Sequence, residues 1–397
     1  MKLKRVLAFA LVLCMALACV ACGNQGGESS TASTASGSAS GTEPDASKPI
    51  KIGLIAGLTG AAPMDGLRMQ QGTQLAIDEW NAKGGVLGRK IELLTEDDQT
   101  LQDMAVTCAT KLMGEGVVGI IGPHRSTNAI AVNETIKNGT TPTFVGGTTP
   151  QISTLGNEYL FRARASDSIF AEVAAKYCVD TFKAKKVGIS FCNDEYGTGG
   201  RDVAKAYLEK NGVEVIDEGH NVNDKDFTSQ LTKFKNAGCD TLIFWMHDTE
   251  LSIHTRQVKD LGMDVNVMSS PGMTMAQVLD MCDESNIEGY YAVSDFVTTS
   301  TNEDVVAFKE KFESKYNEPA ELYGSTYYGA TNALLTAIEK AGTDDRAAVK
   351  DALRELEGLH SPNGIMNVDE NNDMIHSVSV AKIEKKKPVF VELVSVE

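Results

Sequence analysis

The chain has 397 residues, of which 42% are hydrophobic and 23% charged, and a formal charge of −17 at pH 7. That length accommodates two domains with cores of their own, and the composition is that of a folded protein. So acidic a chain offers no basic footprint for a polyanion, which excludes nucleic acid as a partner.

Residues 1–22 read as a processing signal: Lys2, Lys4 and Arg5 precede the apolar run Val6 to Leu17, and small residues lead into Cys22. The run is short for a spanning helix and is charged on one flank only. Residues 23–48 are rich in Ser, Thr, Gly and Ala and too poor in apolar side chains to offset their conformational entropy, so they read as a tether. Ile50 to Leu58 then predicts a buried strand, Gly66 to Ala82 a helix stopped by Gly84-Gly85, Lys90 to Thr95 a strand and Leu101 to Glu115 a helix.

Next comes GIIGPHRSTN, Gly119 to Asn128: a short apolar strand, a Gly-Pro turn, and hydroxyl residues where a helix begins. Helix starts expose unpaired N–H groups and a partial positive charge, so this junction can receive an anion such as a carboxylate. The plainer reading is that Ser126 or Thr127 only caps its own helix. A helix from Ser126 to Lys137 and a strand at Thr143 to Val145, opening onto Gly146-Gly147-Thr148-Thr149-Pro150, complete a β-α-β-α-β-α-β order. The same alternation restarts at Ser168 and continues to Met268, giving a second lobe. The fold class is therefore α/β, two doubly wound parallel-sheet lobes. Ligands of such sheets sit beyond the carboxyl ends of the strands, which directs five loops to one cleft: Thr59 to Asp65, Pro123 to Asn128, Gly146 to Pro150, Asn193 to Gly199 and Met246 to Glu250. The remainder reads as three helices and a β-hairpin, Gly364 to Val396, with Asp369 to Asp373 as its polar turn.

Past Cys22 the cysteines are Cys108, Cys178, Cys192, Cys239 and Cys282, an odd set without a CxxC pair, mostly in apolar-periodic segments. They predict buried thiols and no structural disulfide. No GxSxG, HExxH or Walker A loop occurs, so no enzyme activity and no cofactor is expected. His247, Glu250 and His254 read as polar residues on a helix surface, and no metal site is expected.

Taken together, IKIGLIAGLTGAAPMDG, AIDEWNAKGGVLGRKIEL, EDDQ, VVGIIGPHRST, GGTTPQIS, YLFRARASD, DEYGTG and IEGYYAV resemble, in order and spacing, the branched-chain amino-acid (Leu/Ile/Val-type) class of bacterial solute-binding lipoproteins that serve ABC importers. The resemblance spans Ile50 to Val396. It implies the periplasmic-binding-protein-like I fold, with three hinge crossovers near Ala163 to Asp167, Asp295 to Val297 and Leu359 to Gly364. Lobe 1 would comprise residues 49–165 and 297–361, and lobe 2 residues 166–296 and 362–397.

It further implies lipidation at Cys22, with Cys19 as a competing position, and an extracytoplasmic protein anchored to the bacterial membrane. Its partners would be ABC permease subunits and a small ligand, an amino acid or related carboxylate. A ligand-sensing module for a membrane signalling partner is the alternative, although such a sensor usually carries its own spanning helix and signalling domain. The resemblance places the ligand carboxylate at Ser126, Gly146 and Thr148, with Thr127 and Gly147 beside them, and Tyr196 as a cover from lobe 2. The usual acidic partner of the ligand ammonium falls at Pro271-Gly272 and is missing. Asp65 stands where an aromatic often packs, and His247 replaces a second aromatic. With Asp248 and Glu250 nearby, these departures predict a ligand with a polar far end; Arg125 would be a second carboxylate contact or a solvated arginine at the helix start.

Overall fold

The computed structural model describes residues 48–395. The expected leader, the lipidation site Cys22 with its alternative Cys19, and nearly all of the tether lie outside them.

The first lobe opens with β1 (Ile50–Ala56), whose near-continuous apolar run is buried on both faces, as a central parallel strand requires. α1 (Pro63–Ala82) begins with proline in its first turn, where the missing N–H costs nothing. β2 (Ile91–Asp97), α2 (Gln102–Gly114), β3 (Gly119–Ile121), α3 (Ser126–Gly139), β4 (Thr143–Val145) and β5 (Leu160–Arg162) follow. Their sheet is all parallel in the order β2-β1-β3-β4-β5.

The second lobe comprises α4 (Asp167–Asp180), β6 (Lys186–Cys192), α5 (Glu195–Lys210), β7 (Glu214–His220), α6 (Thr228–Ala237), β8 (Thr241–Trp245) and α7 (Asp248–Asp260). It continues through β9 (Asn266–Ser269), the short helices α8 (Ala276–Met281) and α9 (Glu284–Ile287), and β10 (Tyr291–Ser294). The chain then returns to the first lobe as α10 (Glu303–Tyr316), α11 (Leu322–Ala341) and α12 (Arg346–Arg354), with a tight hairpin of β11 (Leu359–Ser361) and β12 (Gly364–Met366). It ends in β13 (Ser377–Glu384) and β14 (Lys387–Ser395), which extend the second sheet antiparallel, in the order β14-β13-β10-β9-β8-β6-β7.

The end of the chain departs from the expected single hairpin. Its turn is Lys385-Lys386, both at positive φ, and not Asp369 to Asp373. The acidic run instead forms a turn held by Asp369, whose Oδ1 accepts the amides of Asn371 and Asp373, both at 2.8 Å. That turn docks on the first sheet: Arg162 N donates to Asn372 O at 2.9 Å, and Asp373 bridges Arg162. The third passage between sheets therefore lies after Asp373, later than the Leu359 to Gly364 placement, because an ion pair to β5 holds the segment to the first lobe.

Helices α1 and α11 meet with no room for a side chain at Gly72. A Cβ there would lie 2.0 Å from the Gly324 carbonyl oxygen. Gly72→Ala should push the helices apart and cost about 1–3 kcal/mol in a urea-unfolding measurement, with the slope m unchanged.

Candidate functional site

At the head of α3, Arg125 is the capping residue, extended at φ −76° and ψ 142°, and no side chain caps the helix. Ser126 is the first helical residue, so neither it nor Thr127 serves as the cap. Its Oγ turns to the neighbouring loop and accepts the amides of Thr148 at 3.1 Å and Thr149 at 3.3 Å. With its lone pairs engaged, that hydroxyl has its proton left to donate. The helical ladder starts with Ala129 N to Arg125 O at 2.8 Å, so the first-turn amides lie ahead of it, next to Arg125. A helix start so arranged can receive an anion.

The adjoining loop is held from behind. Thr148 Oγ1 donates to Asp167 at 3.0 Å, and Arg162 Nη1 donates to the carbonyls of Thr148 and Thr149 at 3.0 and 2.9 Å. Thr148 is thus bound through both its amide and its hydroxyl, and it borders the inner space beside Ser126. Gly146 borders the inner space, and a Cβ on it would meet the Tyr327 hydroxyl at 2.1 Å. Gly147 does not border that space: it packs on the start of α3, with Ser126 Cα only 2.8 Å from where its Cβ would be. Thr127 faces the outer mouth of the cleft.

From the second lobe, Tyr196 stacks on His247 with ring centroids 5.2 Å apart, and both line the inner space. His247 Nε2 lies 2.7 Å from Asp194 Oδ2, and Asp194 Oδ1 accepts the Gly197 amide at the start of α5. Burial would raise the Asp194 pKa, but the His247 and Gly197 bonds outweigh it and hold the carboxyl below its ordinary value. Trp245 is fully buried and belongs to the core. Asp248, at the start of α7, supplies what Gly272 lacks: a Cβ on Gly272 would lie 3.5 Å from Asp248 Oδ1. A carboxylate from another loop thus stands beside the position where the resemblance leads one to look for an acidic residue.

Four charged groups converge here. Asp65 of the first lobe accepts from Gln277 of the second at 3.0 Å and lies 3.5 Å from His124 Nε2. Burial raises the Asp248 pKa well above the ordinary value, and Asp65 is the next contributor. Burial would lower the Arg125 pKa, yet Asp65, Tyr323, Asp248 and Asp194 together keep it raised. Arg125 is therefore a half-buried cation among carboxylates, and not a solvated helix-start arginine. Arg164 also borders the space and pairs in two bonds with Asp295, at 2.8 and 3.2 Å, tying the first crossover to the second. Arg125, Arg164 and Asp248, but not Asp65, line an inner space of about 30 Å³, room for about one water, and an outer mouth of about 700 Å³ adjoins it.

His124, Arg164, Met246, Leu322 and Tyr323 also line the space and were not singled out from sequence. Arg164 had a signal, lying within YLFRARASD. Tyr323 had none, since α11 reads as an ordinary helix and reaches the cleft only through packing. Glu250 and His254 are not surface residues: they are 2% and 0% exposed and face the core of the second lobe. His254 is hydrogen-bonded to Ser190 Oγ at 2.8 Å, and burial lowers its pKa to about 3.

Glu321 caps α11 through the Gly324 amide at 3.2 Å, while burial, followed by repulsion from Asp65, raises its pKa from 4.5 to about 7. The folded state then holds a proton that the unfolded chain has released, so stability falls as pH rises from about 4.5 to about 7. Glu321→Gln keeps the capping oxygen and removes the charge. Its urea midpoint should decline less over that range than that of the wild type, and parallel curves would count against this assignment.

A family model described as periplasmic binding protein matches residues 49–388. The Leu/Ile/Val-binding protein BraC3 of Rhizobium johnstonii is 32% identical over 353 residues, covering 88% of this chain and 95% of that one. The leucine-, isoleucine-, valine-, threonine-, and alanine-binding protein of Pseudomonas aeruginosa is 28% identical over 83% of this chain and 88% of its own. Among solved structures, the leucine-binding protein LivK of Thermotoga maritima superposes with a TM-score of 0.82 at 24% identity, covering 87% of this chain and 99% of that one. The substrate-binding protein LivJ of Streptococcus pneumoniae, in complex with isoleucine, gives the same score and identity over 88% of this chain and 100% of its own.

Proposed function

Because this chain belongs to the periplasmic binding protein family, we propose that it captures a zwitterionic amino acid between its lobes and delivers it to the permease of an ABC importer. The α-carboxylate meets the Ser126 hydroxyl, the first turn of α3 and Arg125. The α-ammonium lies between Asp65 and Asp248, one from each lobe. Tyr196 and His247 cover the ligand. One observation carries this reading: Asp248 occupies the space in front of Gly272 and is repelled by Asp65 of the opposite lobe, with Arg125 a cation that both carboxylates share, so a ligand ammonium would supply a second positive charge to the pair. Ligand bridging the lobes stabilises the closed form in proportion to its differential contact with it.

Relatives are named for leucine, isoleucine and valine, but Asp65, Arg125, His247 and Asp248 suit a guest whose side chain is polar. The family is extracytoplasmic, and among the described residues no helix is long and apolar enough to cross a membrane. Lipid anchoring at Cys22 fits the leader and tether and holds the protein beside its permease.

Isothermal titration against the common amino acids tests this. Binding is expected for a polar amino acid and is expected to vanish for the analogue without its α-ammonium. Micromolar binding of leucine, isoleucine and valine alike would overturn the polar-ligand assignment. Failure of every zwitterion would overturn the site.

A further inference from the structure

We propose that the second lobe carries a binding site for a transition-metal ion of the zinc class, with Cys192, His220 and Glu250 as its protein ligands. Cys192 and His220 end adjacent parallel strands, β6 and β7, and are partners in register, so their side chains leave the same face of the sheet side by side. Glu250 reaches the same point from the first turn of α7. One ligand atom from each lies within 4.8 Å of the others, and all three residues are buried.

An independent observation points to a ligand. His220 is 2% exposed, and neither of its ring nitrogens has a hydrogen-bond partner among the described residues. Buried polar atoms are rarely left unpaired, because the lost hydration is not recovered. Its ring is positioned by Phe227 and His254, at centroid distances of 4.7 and 5.2 Å, while its nitrogens stay free. Glu250 is likewise held, its Oε1 accepting the Asn223 amide at 2.9 Å.

The donor set of thiolate, imidazole and carboxylate suits a borderline-soft ion and is poor for calcium or magnesium, which take oxygen. Binding would release the Cys192 proton to solvent and place the thiolate on the metal. Asp194 and His247 also come within 4.8 Å of the same sulfur, on the side toward the cleft mouth, and a fourth ligand would come from there. The ion would fasten together the loops after β6, β7 and β8, two of which form one wall of the cleft.

The test uses the purified protein, reduced and freed of metal by a chelator, titrated with Co2+ and Zn2+ alone. One ion per chain is expected, with a thiolate-to-cobalt charge-transfer band in the near ultraviolet and a melting temperature raised by zinc. Cys192→Ser and His220→Gln should each weaken zinc binding by about 100-fold or more, while Cys108→Ser in the first lobe binds as the wild type does. Melting of each variant in chelator reports whether it folds, and the wild-type cobalt spectrum decides sulfur ligation without any variant. A cobalt spectrum lacking that band, or zinc binding undiminished in Cys192→Ser and His220→Gln, as scattered surface carboxylates would give, overturns the proposal.

Discussion

Asp373→Ala should lower the stability of this protein by about 3–5 kcal/mol, measured by urea unfolding. Arg162, 0% exposed at its side chain, donates to Asp373 twice at 2.7 Å and also contacts Ser153 Oγ. Removing the carboxylate leaves a guanidinium buried without its counter-charge, and that uncompensated desolvation is the source of the loss. The double change Arg162→Met with Asp373→Leu removes both charges and should recover most of the stability. Ligand affinity should not recover with it. Arg162 also holds the carbonyls of Thr148 and Thr149, whose amides are bonded to Ser126, so its loss loosens the carboxylate subsite whatever replaces it. A double variant that regained both stability and affinity would remove Arg162 from any part in the site.

The second large effect is expected at Asp248. Replacing it by Asn should weaken binding of the amino acid by about 30- to 5,000-fold, the span of about 2–5 kcal/mol for losing one member of a buried charge contact. The unliganded protein should move the other way and become more stable, because the burial cost of the Asp248 charge, and after it the repulsion from Asp65, disappears. A raised folded-state pKa destabilises the protein once the pH exceeds the ordinary carboxylate range, and this is the contribution that Asn removes. Binding an ammonium favours the ionised Asp248, so wild-type affinity should rise with pH until that carboxyl is fully ionised, and the Asn variant should lack that rise. Equal loss of folding stability and affinity would instead mark Asp248 as a packing residue.

Both effects depend on residues that the sequence makes visible to very different degrees. The alternation of strands and helices is plain because each period is local, and a buried run such as Ile50–Ala56 admits few readings. Ser126 and Tyr196, which line the inner space, stand within motifs that the sequence displays. Asp248 stood in plain view in a cleft loop, but its part as substitute for the acid missing at Gly272 depends on how α7 lies against the loop after β9. That is a matter of packing between segments more than twenty residues apart, and no periodicity reports it. Gly147 falls outside the inner space for the same reason: a loop that faces the cleft still has some atoms turned away to hold it in place. Glu250 and His254 share a helix whose buried face carries polar side chains, so hydrophobic spacing placed them on the wrong side.

The Arg164–Asp295 pair joins the first two crossovers, and its two hydrogen bonds resist the sliding of one connecting segment along the other. In the lobe closure proposed above, such a tie would favour rotation, a hinge and not a shear. Each closure returns the second lobe along the same arc, and Tyr196, His247 and Asp248 arrive at the same places each time. Selectivity in such a trap is inherited from its axle as much as from its walls: a guest that needed the jaws to meet half a residue out of step would find no closed state available to it.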